Sequence, residues 1–128
     1  MNYLPNLDPE LHDGVYVFTT VPLSANTVGL DVIATMREQE GLTLVLPEMQ
    51  AKQQGFDLAF RCSWITLRVD SALEAVGLTA AFARALADES IACNVIAGTH
   101  HDHLFVPVAR AADALQCLRD LQRRAAGN

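Results

Sequence analysis

Basic residues are scarce in this sequence. Nine Lys and Arg stand against fifteen Asp and Glu, a net charge of −6 at pH 7. A nucleic-acid surface needs clustered Lys and Arg, and here only Arg123 and Arg124 are adjacent, so no nucleic-acid partner is expected. Cysteine is sparser still. Cys62, Cys93 and Cys117 are odd in number and far apart, without the short spacings of a zinc site. They read as buried thiols in a reducing compartment, with the cytoplasm as the expected location. No apolar run approaches the roughly 18 residues of a membrane span, so no membrane partner is expected. Met1 to Glu10 lacks the basic start and apolar core of a secretion signal. Nucleophile elbow, phosphate loop and paired-carboxylate motif are all missing. The expectation is a protein without catalytic residues, metal or cofactor.

What is present is core-forming sequence. Apolar residues make up 51% of the 128 positions, enough for one compact domain or two very small ones. Residues 1–13 hold two prolines and little periodicity and read as an irregular lead-in. Val15 to Thr20 is β-branched and aromatic, a strand. Residues 32–37 and 42–46 flank Glu38-Gln39-Glu40-Gly41, the pattern of a hairpin; a helix over 30–39 is the alternative, because Met, Arg, Glu and Gln favour it. A short polar helix follows from Glu48 to Gln54, opened by Pro47 and ended by Gly55. Residues 56–62 read as a connection.

The second half is clearer. Trp64 to Val69 alternates, with Ile65, Leu67 and Val69 on one face and Trp64, Thr66 and Arg68 on the other. Helical spacing places Leu78, Phe82, Ala85 and Leu86 on one stripe within 74–89. Residues 91–97 and 104–107 are further strands. A last helix spans about 110–124, with Ala111, Ala114, Leu115, Leu118 and Leu121 aligned. Strand, helix, strand, strand, helix is an α+β order, with a right-handed crossover that can set the first two strands side by side. The second half is therefore ferredoxin-like, and the first reads as a degenerate version of it. The expected architecture is two such halves, 1–60 and 61–128, with antiparallel sheets and helices packed on one face.

Several segments together resemble the ACT domain family, in particular the tandem ACT-like group that includes cytosolic arginine sensors. They are Gly14 to Phe18, Arg37 to Pro47, Ala75-Val76-Gly77-Leu78-Thr79, and Ile91 to Ala97 followed by Asp102 to Val106. The resemblance covers 14–122. It implies two ACT-like halves, the first with its second and third strands as a hairpin. It implies a regulatory protein that binds an amino acid or related small metabolite where a first strand passes into its helix, here Asp70 to Thr79. Gly77 and Leu78 match a pair whose backbone faces the ligand. The acidic pair that follows the third strand in the sensors is matched only by Asp102, within His100-His101-Asp102. The ligand-contact residues so implied are Ser71, Val76, Gly77, Leu78, Asn94, His100 and Asp102, with the ligand between the halves. A homodimer is also implied, and a protein partner is possible.

Three features carry their own alternatives. His100 to His103 would place two imidazoles on one face of a strand, and a third ligand from His12, Asp13 or Cys93 would complete a metal site; a solvated polar hairpin turn is the plainer reading. Ser71 to Gly77 suits backbone contact with an anion at a helix start, or an ordinary loop in which Ser71 or Glu74 caps the helix. Trp64, Thr66 and Arg68 must meet solvent, the other half or a second subunit.

Overall fold

The computed structural model describes residues 2–127. Its contacts group them into two units: residues 14–62, and the N-terminal residues up to Asp13 together with those from Ser63 onward. The division expected at residue 60 therefore meets a different grouping at the N-terminus. Residues 2–13 are not an irregular lead-in. They form a 3-10 turn, Leu4–Asn6, and a strand β1, Pro9–Leu11. Leu7 between them is fully buried. Three residues are too few for a period-2 pattern to register, and Pro9 suits the first position of an edge strand, where no donor is required.

In the unit of residues 14–62, strand β2 (Tyr16–Val21) pairs antiparallel with β4 (Gly41–Pro47), from Tyr16 opposite Pro47 to Val21 opposite Leu42. Strand β3 (Ala34–Glu38) pairs with the other edge of β4, and Glu38 opposite Gly41 closes the hairpin. The hairpin expectation holds and the helix over 30–39 does not form. Gly41 is sterically obligatory there, since a Cβ would lie 2.7 Å from the Val21 carbonyl oxygen and its φ is +150°. Helix α1 (Glu48–Gln53) follows, with Pro47 as its capping residue, and Gly55 at φ +72° turns the chain out of it. Strand β5 (Phe60–Leu67) starts four residues earlier than expected; Phe60, Arg61 and Cys62 pair with Phe18, Val17 and Tyr16. The strand order is β3-β4-β2-β5. Val17, Val21, Leu44, Leu46 and Ala51 form the core. Residues 22–33 contain no helix or strand, and their Ala25, Leu30 and Val32 pack on that core directly.

The other unit uses the rest of β5. Helix α2 (Leu78–Asp88), strands β6 (Asn94–Ala97) and β7 (Asp102–Pro107) and helix α3 (Ala111–Gly127) follow in the expected order. The expected side-by-side pairing of β5 with the next strand is not seen: β7 lies between β5 and β6. On the opposite edge β1 pairs antiparallel with β5, Pro9 opposite Leu67 and Leu11 opposite Ile65. The sheet order is thus β1-β5-β7-β6, and its fourth strand comes from the N-terminal end of the chain. One face carries Ile65, Leu67, Leu104 and Val106 against Phe82 and Leu86 of α2 and Ala114 and Leu118 of α3, with Leu7 in the same cluster.

Truncating Leu7 tests how much this unit depends on the N-terminal segment. Leu7→Ala is expected to lower stability by about 2–5 kcal/mol, the range for a fully buried leucine. Leu23→Ala, at a site 56% exposed, should change it by less than about 0.5 kcal/mol. Chemical denaturation of both variants measures the contrast.

Candidate functional site

After β5 the chain continues along the N-terminal segment, Arg68 N–H donating to Asp8 O (3.0 Å) and Val69 N–H to Leu7 O (3.3 Å). It then leaves the sheet. Residues 71–77 are irregular, with one turn closed by Ala75 N–H to Ala72 O (3.0 Å), so α2 begins four residues later than its apolar spacing predicted. Gly77 sets that start. It adopts φ +97°, and no side chain caps the helix, so neither Ser71 nor Glu74 plays the capping part. The first N–H groups of an α-helix lack intrahelical acceptors and carry the positive end of its dipole; the first turn of α2 holds no acidic residue.

This helix start opens on a cleft of about 330 Å³ lined by Val76, Gly77 and Leu78 and by Asn2, Tyr3 and Leu4 of the N-terminal turn. No lining side chain is charged. Val76 is 98% exposed. Sequence reasoning reached Val76, Gly77 and Leu78 but missed the other wall, because nothing in the pattern of residues 2–4 ties them to a helix more than seventy positions away.

The remaining expected site residues do not line this cleft. Ser71 and Asp102 are each only 8% exposed. Asp102 starts β7 opposite Ala97, and burial raises its carboxyl above the ordinary range while His103 opposes the shift. Asn94 is exposed on β6 opposite Phe105. His100 is exposed, its Nδ1 3.9 Å from a carboxylate oxygen of Asp70. His101 Nδ1 donates to Val69 O (3.2 Å), which holds the 98–101 turn against the end of β5.

The histidine run therefore splits. His100 and His101 lie in the turn, and only Asp102 and His103 are on the strand. His103 joins a different cluster. Trp64 Nε1 donates to His103 Nδ1 (3.1 Å), Thr66 Oγ1 lies 3.0 Å from the same nitrogen, and His12 Nε2 lies 2.7 Å from Thr66 Oγ1. The His12 ring stacks on Trp64 with centroids 3.6 Å apart, and Trp64 stacks in turn on Phe105. The face of Trp64, Thr66 and Arg68, expected to meet solvent, the other half or a second subunit, is partly covered by the N-terminal strand: His12 stacks on the half-buried Trp64 and Glu10 pairs with Arg68, which stays exposed. Among the described residues no three His, Cys, Asp or Glu side chains gather to hold a metal. Burial pushes the Cys62 thiol up to about 12 and the Cys93 thiol up to about 11, so both stay protonated and unreactive at neutral pH.

Comparison with known proteins supplies the wider context. ACT domain families match the chain twice, over residues 2–63 and over residues 59–120. A Vibrio cholerae protein of unknown function, described as a possible transport protein, is 50% identical over 94% of this chain and 93% of its own, with a TM-score of 0.85. An Agrobacterium tumefaciens protein is 18% identical over 92% of this chain and 90% of its own, TM-score 0.74. The ligand-free regulatory subunit of aspartate kinase from Thermus thermophilus is 8% identical over 88% and 95%, TM-score 0.66, a likeness of fold alone. No curated protein matches. No helix among the described residues is long and apolar enough to cross a membrane.

Gly77 can be tested without any ligand. A Cβ there would meet nothing within 4 Å, so Gly77→Ala should cost about 1–2 kcal/mol through backbone conformation alone. Gly98 is the contrasting case. Its Cβ would lie 3.0 Å from His101 O without a positive φ, so Gly98→Ala should act through steric displacement of the turn. Denaturation gives the size of each effect, and the His101 and His103 ring resonances should move only in the second variant.

Proposed function

This chain belongs to the ACT domain family, and from that premise we propose that it is a non-catalytic sensor of a small metabolite, an amino acid or a close relative, bound where β5 passes into α2. The observation that carries the proposal is the uncapped start of α2 at Gly77, opening on the cleft that Val76, Leu78 and residues 2–4 line. A ligand carboxylate fits the N–H groups of a helix start. The uncharged lining suits a neutral, apolar remainder better than a cationic one. Ser71, Asn94, His100 and Asp102 stand outside the cleft and enter the proposal only for a ligand that reaches past it.

A protein without a catalytic part acts by changing its associations. We extend the proposal to a homodimer, for which β3 offers an edge: four of its five residues are exposed, and it pairs with β4 on one side only. Closed two-fold pairs are the usual solution for such surfaces. The free thiols accord with a reducing compartment.

Thermal unfolding in the presence of each of the twenty amino acids at millimolar concentration tests the ligand. One with a neutral apolar side chain is expected to raise the melting temperature, since a ligand at about 100 times its Kd adds about 2.7 kcal/mol, and Gly77→Val should lose that response. If none shifts the transition, the sensor reading fails and a structural interaction module without ligand takes its place. Light scattering tests the dimer: a mass near twice 13.9 kDa is expected, and a monomer at tens of micromolar, about the strength of a weak specific interface, overturns it.

A further inference from the structure

We propose that His12, Trp64 and His103 form a proton-operated latch that fastens β1 to β5 and lets go on acidification. One hydrogen bond fixes where the His103 proton sits. Trp64 Nε1 can only donate, so His103 Nδ1, which it reaches at 3.1 Å, is an acceptor and the ring proton lies on Nε2. Thr66 Oγ1 lies 3.0 Å from that same nitrogen and 2.7 Å from His12 Nε2, between the two rings. The Trp64 N–H rests on the one lone pair that His103 Nδ1 has to offer.

That lone pair is the vulnerable point. A proton taken up by His103 goes to Nδ1, since Nε2 already carries one. Nδ1–H then faces the Trp64 N–H, which loses its acceptor. The indole must move away from His103, and it is the ring on which His12 stacks. His12 is where β1 ends: its own N–H donates to Trp64 O (2.9 Å), continuing the β1–β5 ladder. Burial also lowers the proton affinity of His12, with Arg68 adding to it, while Glu10 and Asp13 oppose the shift and a cation over the indole face is favourable. His103 is less well placed to hold charge. Burial lowers its affinity for a proton, His101, His12 and Arg68 add to that, and Asp102 alone opposes it. A histidine lowered in the folded state contributes stability that is present above its ordinary value of 6.5 and is lost as pH falls through the folded value.

β1 is the fourth strand of its sheet, and the segment that carries it also walls the cleft at Gly77. The latch therefore acts on the one segment that sheet and cleft share, whether or not a ligand binds.

Amide hydrogen exchange at pH 7.5 and pH 5, corrected for the intrinsic pH dependence, tests this on the intact chain. Protection of the Glu10, Leu11 and His12 amides is expected to be lost at pH 5 relative to pH 7.5, while α3 keeps its protection. Fluorescence of Trp64, the sole tryptophan, should change over the same range. His103→Asn sets an amide oxygen in the place of Nδ1, where it accepts from Trp64 Nε1 and does not titrate, so protection at Glu10, Leu11 and His12 should be equal at the two pH values. Equal protection in the unaltered protein, or an undiminished fall in His103→Asn, overturns the proposal. Should that variant not fold, nitrogen shifts of the His103 ring in the unaltered protein decide. An Nε2–H tautomer titrating below 6.5 supports the latch, and an Nδ1–H tautomer or a titration above 6.5 overturns it.

Discussion

Leu7 has no exposed surface, and the unit it enters cannot be completed without it. The order strand, helix, strand, strand, helix from β5 to α3 leaves one edge of β5 without a partner over residues 65–67. An unpaired backbone edge beside a buried face is costly, because its N–H and C=O groups need partners. The chain meets that demand from its beginning. Leu7 joins the core shared by α2 and α3, Pro9 to Leu11 take the open edge, and Asp8 between them adopts φ 47° with its N–H on Gln122 of α3 (2.8 Å). Three residues of ladder are few, and the burial of Leu7, with Tyr3, Leu4 and Leu11 packed against the same core, offsets the cost of ordering them.

Strand β5 shows the same economy in another form. Its first three residues close the sheet order of the 14–62 unit, and its remaining residues open the order of the other. One strand serves as the last of one ACT arrangement and the first of the next. The two ACT matches overlap at residues 59–63, on the strand that both need. The first arrangement also dispenses with a helix. Residues 22–33 reach from β2 to β3 and set Ala25, Leu30 and Val32 on the core, so twelve residues of irregular chain cover a face that α2 covers elsewhere.

The legible parts of this fold were those with a repeated local pattern. The β3–β4 hairpin, α2, α3 and the Trp64 strand each repeat a period over several residues, and each formed with errors of a few positions at the ends. The illegible parts depend on pairing across long sequence separations. Nothing about Pro9-Glu10-Leu11 announces a strand until residues 65–67 stand beside it. Alternation did place Trp64 and Thr66 away from the helices, but not what would cover them, because His12 arrives from β1 and His103 from β7. For the same reason the run His100 to His103 looked like one feature and is two, divided where the 98–101 turn becomes β7. At the candidate site, local signals found Val76, Gly77 and Leu78, and could not find Asn2, Tyr3 and Leu4.

The two ends of α2 separate what the fold requires from what it leaves available. At the C-terminal end the backbone is closed off: Arg110 donates to Glu89 O (3.1 Å) and Ser90 O (3.4 Å) while its Nε holds Asp113 of α3 (3.0 Å). At the N-terminal end stands a glycine with no side chain to offer. As a cap, Ser, Thr, Asp or Asn would improve on glycine by only about a few tenths of a kcal/mol, and the chain has Ser71, Glu74 and Thr79 nearby without using any of them as the cap. The left-handed φ of Gly77 carries no packing reason either, since the space around a Cβ there is empty. A helix start without a side-chain cap, in a conformation only glycine takes readily, leaves its first N–H groups without a side-chain acceptor beside a cleft. An anionic group is what such N–H groups bind, which is why the proposed ligand is set at the start of α2 and not at the more conspicuous histidines.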